Sequence, residues 1–116
     1  MKLVRIYTGD DNESHIEVHN QKEYFEFTER NNTRTKIEAA QGICFAHRTM
    51  DSPVKFHTPA HQQYALYLSC TIEIGLGDGS SIVMEPGDIL VAQDTTGHGH
   101  SSKVLKEGMV AFVNFD

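Results

Sequence analysis

Two clusters of turn-forming residues lie so close together that only a short extended segment fits between them. Gly75-Leu76-Gly77-Asp78-Gly79 comes first, Ser81–Met84 follows, and Glu85-Pro86-Gly87-Asp88 ends the run. Asp-Gly supplies the positive φ angles that tight hairpins need. Pro then Gly fits the central positions of a type II turn. A four-residue apolar run between two such turns is too short for a helix and predicts a strand.

The same punctuation recurs along the chain. Leu3–Tyr7 alternates before Thr8-Gly9-Asp10-Asp11-Asn12, and Ile16 and Val18 alternate with His15, Glu17 and His19. Asn20-Gln21-Lys22-Glu23 and Asn31-Asn32 read as turns around Tyr24-Phe25-Glu26-Phe27. Strands are expected at Gly42–His47, Gln63–Ile74, Ile89–Ala92, Ser102–Leu105 and Met109–Phe115. Only Thr35–Ala40 has helical composition. Many short strands at this spacing predict an all-β sandwich or barrel. Both parities of Gln63–Ile74 are apolar, which suggests a strand covered on both faces.

The 116 residues suit one domain, residues 1–116, with a core that needs no staples. Sixteen acidic against ten basic residues give a net charge of −6. That sign argues against nucleic acid and against an anionic membrane surface. No stretch approaches the roughly 20 apolar residues of a membrane span. With no secretory leader pattern at Met1–Tyr7, the cytoplasm is the expected compartment. Cys44 and Cys70 sit in apolar runs and are expected to be buried, unpaired thiols.

Four of the seven histidines fall in two stretches. One is His57-Thr58-Pro59-Ala60-His61-Gln62-Gln63-Tyr64, the other Asp94-Thr95-Thr96-Gly97-His98-Gly99-His100. Gathered imidazoles suit proton transfer or metal binding. An extended 57–63 segment would place His57, His61 and Gln63 on one face. Asp94 is either a turn residue or a carboxylate that fixes a histidine tautomer. Tyr64 and Tyr67 are either core or cavity-lining residues. Gly75–Gly79 contains G-x-G-x-G but precedes a strand, so it is a hairpin and not a phosphate cradle. Ser101 and Ser102 beside His100 lack a third member and make no triad.

These residues resemble the cupins, a superfamily of double-stranded β-helix jelly rolls. Aligning Cys70 with the last Gly of the first cupin motif puts His57 at its first His, Pro59 at its second and Gln63 at its Glu. In the second motif Gly87 matches the opening Gly, and the ligand His falls at His98 by count or at His100. The chain is also similar to a bacterial cupin subgroup of unassigned activity. That likeness rests on Tyr7-Thr8-Gly9 with Ser14-His15, on His57 with Gln63-Tyr64, and on Asp94–His100. Within it Ser14-His15 reads as part of a structural N-terminal strand.

The resemblance implies a single cupin barrel with N-terminal strands and a pocket at its mouth. His57 and His100 are the expected catalytic residues, with Gln63, Tyr64, Tyr67 and Asp94 binding substrate. His57, His61, His98 and His100 are the candidate ligands of a divalent metal (Zn, Mn, Fe or Ni), although a Gln at the carboxylate position is a weaker ligand. The expected activity is isomerase, dehydratase or lyase-type proton transfer on a small polar metabolite. A non-catalytic module that holds a small ligand or metal is the alternative, and an iron oxygenase is the weakest reading. A homodimer is the expected assembly.

Overall fold

The computed structural model describes residues 1–116, and its chain is all-β apart from one helical turn. Seven strands precede the first predicted hairpin: β1 (Lys2–Thr8), β2 (Ser14–Asn20), β3 (Phe27–Glu29), β4 (Arg34–Thr35), β5 (Gly42–Arg48), β6 (Val54–His57) and β7 (Gln63–Tyr67). The rest are β8 (Thr71–Gly75), β9 (Ser81–Met84), β10 (Ile89–Gln93), β11 (His100–Lys106) and β12 (Gly108–Asn114). The turn α1 (Gln21–Tyr24) follows Asn20, whose side chain caps Lys22 N.

Two sheets hold the core between them. The wider has the order β2-β1-β10-β7-β12-β5, the narrower β6-β11-β8-β9, and β3-β4 form a separate ribbon. β1 pairs with β10 in parallel, whereas the other pairs are antiparallel. Alternation explains the packing. Val4, Ile6, Ala65, Leu90 and Val110 of the wider sheet meet Ile72, Ile74, Met84 and Val104 of the narrower one in a single cluster. Period-two patterning buries one parity of each strand and leaves the other for the outer face.

The predicted turns form where glycine permits them. Gly79 (φ 88°) closes the β8–β9 hairpin. Gly87 (φ 94°) follows Pro86 in a turn closed by Asp88 N donating to Glu85 O at 2.9 Å. Asp88 holds this corner to β1. It accepts from Lys2 N at 3.0 Å, Lys2 Nζ at 2.7 Å and Glu85 N at 2.9 Å. Burial alone would raise the Asp88 carboxyl, but those bonds outweigh it and hold it below the usual range.

Three expectations are corrected, and the one stretch of helical composition stays non-helical. Gln63–Ile74 is two strands, not one. The chain leaves the wider sheet after Tyr67, where the N–H groups of Leu68 and Ser69 both donate to Met109 O, and enters the narrower sheet at Thr71. Its two apolar parities therefore reflect an outer face on β7 and a change of sheet, and Leu68 is exposed. Thr35–Ala40 forms no helix, because helical composition over six residues cannot meet the cost of nucleation. The 57–63 stretch is not a strand: β6 ends at His57, Thr58–Gln62 is irregular around Pro59, and β7 begins at Gln63. Cys70 is buried as expected, but Cys44 is exposed because β5 is an edge strand.

Candidate active site

The centre of the site is a carboxylate between two partners. Asp94, fully buried just after β10, accepts from Ser14 Oγ at 2.7 Å and from His100 Nδ1 at 2.6 Å, both on Oδ2. A carboxylate only accepts, so Nδ1 of His100 carries the proton and Nε2 is the free ring nitrogen. Asp94 Oδ1 is buried and makes no hydrogen bond with the protein. An orphaned buried acceptor costs about 1–3 kcal/mol, so a natural fold keeps one rarely.

Two glycines bring the loop to this position. Gly97 (φ 78°) lies against the backbone of Asn12, and His98 N donates to Asn12 O at 2.9 Å. Gly99 (φ 79°) leaves no room for a Cβ, which would collide with the His57 carbonyl. That close approach pairs His100 with His57 across the β11–β6 ladder, and their ring centroids lie 5.0 Å apart. His57 Nδ1 faces the Lys55 carbonyl at 3.0 Å. A carbonyl also only accepts, so His57 too presents Nε2. The ladder then shifts register: His100 pairs with His57, but Ser102 pairs with Val54. The bulge places one extra residue in β6 and turns Val54 and His57 toward the same cavity.

This cavity, of about 250 Å³, lies between the sheets. His57, His100, Gln63, Tyr67, Arg48 and Ser102 supply its polar lining, and Leu90, Val110 and Phe112 are among its apolar walls. It contains no acidic lining residue. Burial, then the neighbouring Cys70, pushes the Tyr67 hydroxyl well above the ordinary tyrosine range, with Arg48 acting weakly the other way. Tyr67 is therefore a persistent donor.

His57, His100, Gln63, Tyr67 and Asp94 thus come together as the sequence suggested. Tyr64, His61 and His98 do not. Tyr64 lies on the opposite face of β7, donates to Glu38 Oε1 at 3.0 Å and packs on Phe115. With residues 58–62 irregular, His61 turns outward to the Asp116 carbonyl at 2.9 Å. His98 is held by Glu13 Oε1 at 3.0 Å and stacks on Phe56. Sequence reasoning gave Ser14 a purely structural role and passed over Arg48. Only the pairing of β1 with β2 and β10 brings Ser14 to Asp94.

The donor set does not fit a tightly held metal. Two imidazole nitrogens and one amide face the cavity, and no group of three His, Cys, Asp or Glu side chains converges anywhere in the molecule. Catalytic zinc uses three protein ligands. With His61 and His98 turned away, the proposed four-histidine set is reduced to two. Comparison with known proteins finds no matching family model and no matching curated sequence.

Proposed function

We propose that this protein is a cupin-type enzyme that moves a proton on a small polar metabolite, with His100 as the general base. The observation that carries this reading is the buried Ser14–Asp94–His100 chain, which ends in a free Nε2 at the wall of a largely apolar cavity between the sheets. Asp94 fixes the tautomer and stabilises the imidazolium that forms when Nε2 takes a proton. Returning that proton to a second substrate atom completes an isomerisation with no net change in the enzyme. If the substrate instead loses a neighbouring hydroxyl, the imidazolium supplies the proton that leaves with it as water. Tyr67 stays protonated and can donate to an oxygen on which negative charge develops. The two facing sheets support a double-stranded β-helix reading of the fold.

A screen of small hydroxy and keto compounds in deuterium oxide, read by proton NMR, tests this. Solvent deuterium should enter at least one compound with wild-type protein. His100→Ala should abolish exchange. Asp94→Asn should reduce it by about 10³–10⁴-fold, because an amide donor reverses the tautomer. Exchange that survives His100→Ala would sink the proposal. Binding without any exchange would leave the ligand-holding module as the function.

For assembly we propose a homodimer through β5. Its outer edge is free, Ile43 and Phe45 are 60% and 63% exposed, and it carries no acidic residue in a chain of net charge −6. Edge strands left this apolar invite pairing. A two-fold centred on Phe45 sets Phe45 against its own copy. Light scattering should give a dimer for wild type and a monomer for Phe45→Glu; a wild-type monomer at micromolar concentration refutes it. The expected compartment is the cytoplasm, a setting that both free thiols suit. No helix is long and apolar enough to cross a membrane.

A further inference from the structure

Arg48 is a cation in the cavity without an anion. It ends β5, is half-buried, and lines the same cavity as His100. One guanidinium nitrogen, Nη2, contacts Ser102 Oγ at 3.1 Å and the Ser52 carbonyl at 3.4 Å. No carboxylate in the protein pairs with it, although the chain has sixteen to offer. The cations of Lys2 and Arg5, by contrast, are paired with Asp88 and Glu17. Nε and Nη1 of Arg48 make no hydrogen bond with the protein. Charges withdrawn from water are ordinarily paired, because desolvation is costly.

We infer that Arg48 receives the carboxylate of the substrate, and that the metabolite is a small monocarboxylic acid. This assignment takes the cavity as the reacting site proposed above. Size favours a carboxylate of short chain, since about 250 Å³ already bounded by apolar walls admits only a small molecule. The planar fork of a guanidinium matches a carboxylate in two parallel bonds. Position then links the anion site to the base. Ser102, which Arg48 touches, and His100 lie two residues apart on the buried face of β11. That is about 7 Å along the strand, close enough for a small acid with a contact at each end to reach from one to the other. Held there by its carboxylate, such an acid presents its adjacent carbons to Nε2. The negative charge that develops on losing a proton is met by the same cation and by the Tyr67 hydroxyl. Arg48 is thus a substrate-binding residue and the determinant of specificity for acids over neutral isosteres.

The test compares an acid with its amide. Isotope-labelled protein is titrated with isobutyrate, pyruvate, isobutyramide and inorganic phosphate, and amide resonances of β5 and β11 are followed. Isobutyrate should bind, with or without pyruvate, and isobutyramide should bind at least tenfold more weakly than isobutyrate. Arg48→Gln should lose at least tenfold in acid affinity, and Arg48→Lys should recover part of it, which separates a lost contact from a damaged fold. Equal binding of isobutyramide and isobutyrate, phosphate binding tighter than both acids, no binding of either acid, or full acid affinity in Arg48→Gln would each overturn the inference. Acid binding that depends on Arg48 without deuterium exchange sinks the catalytic reading alone. His100-dependent exchange on neutral compounds that is unaltered in Arg48→Gln sinks this inference alone.

Discussion

On one side of β7, Gln63 and Tyr67 look into a cavity of about 250 Å³; on the other, Tyr64 and Leu66 floor a groove of about 480 Å³. The groove is the larger, with Phe25 and Phe27 from the segment that crosses the wider sheet. Its central polar group is satisfied, because the Tyr64 hydroxyl is held by both oxygens of Glu38. The cavity is smaller but keeps its polar groups in reserve. Arg48 has no counter-charge and two imidazoles present free Nε2 atoms, while Asp94, behind His100 and outside the lining, keeps Oδ1 without a partner. Unspent hydrogen-bonding capacity, not volume, is what marks the cavity rather than the groove as the candidate site.

Substitutions can break that contrast. The largest effect should come from Gly99→Ala, which sets a Cβ against the His57 carbonyl at a positive φ. A loss of about 3 kcal/mol or more is expected by urea unfolding, whereas Gly42→Ala, with open space around it, should stay within about 0.5 kcal/mol. His100→Ala should come next, at about 2–3 kcal/mol, because it removes a charge-assisted bond and leaves buried Asp94 with Ser14 alone. Tyr64→Phe in the groove should cost about 1 kcal/mol or less. Equal losses at these two positions would erase the distinction drawn between the faces of β7.

Titration sharpens it further. Burial is the leading cause that raises both Tyr67 and Tyr64, followed at Tyr64 by the Glu38 carboxylate. A raised folded-state pKa means the unfolded chain ionises first as pH rises. Stability from both tyrosines should be complete below about pH 10 and fall above it. Tyr67→Phe should flatten that alkaline limb in thermal melts. At the acid end Asp88 is depressed despite its burial, through Lys2 and Glu85. Its contribution should be complete above about pH 4 and be lost below it, and Asp88→Asn should remove that acid limb. The smallest effect is a labelling difference. A thiol reagent should modify exposed Cys44 in the native protein and reach Cys70 only on unfolding, since burial also pushes the Cys70 thiol up.

Local chemistry was legible in the residues. Gly79 and Gly87 marked their turns, alternation marked β1 and β2, and His57, His100, Gln63 and Tyr67 were placed at one cavity. What escaped depended on distant partners. Nothing near Tyr67 announces a change of sheet, which is imposed by Met109 some forty positions later. Cys44 lies in a run as apolar as that around Cys70, and only its edge position exposes it. His61 matched the parity of His57, but a parity argument holds only while the chain stays extended, and Pro59 ends that. Arg48 carries no motif; its significance is the lack of an acid around it, which is a property of three dimensions.

The parallel pairing of β1 with β10 also joins parts of the chain that are far apart in sequence. Lys2 and Asp88 meet across 86 positions and Ser14 and Asp94 across 80. When the chain first emerges, β1 has only β2 beside it, and an isolated hairpin is marginal in water. Closing so long a loop precedes the reward for making it, so this step is expected to be slow. A partly folded chain can bury much of its core and still leave Asp94 without Ser14. The Ser14–Asp94–His100 chain would then be among the last features this protein completes as it matures and among the first it gives up when its opening strand comes loose.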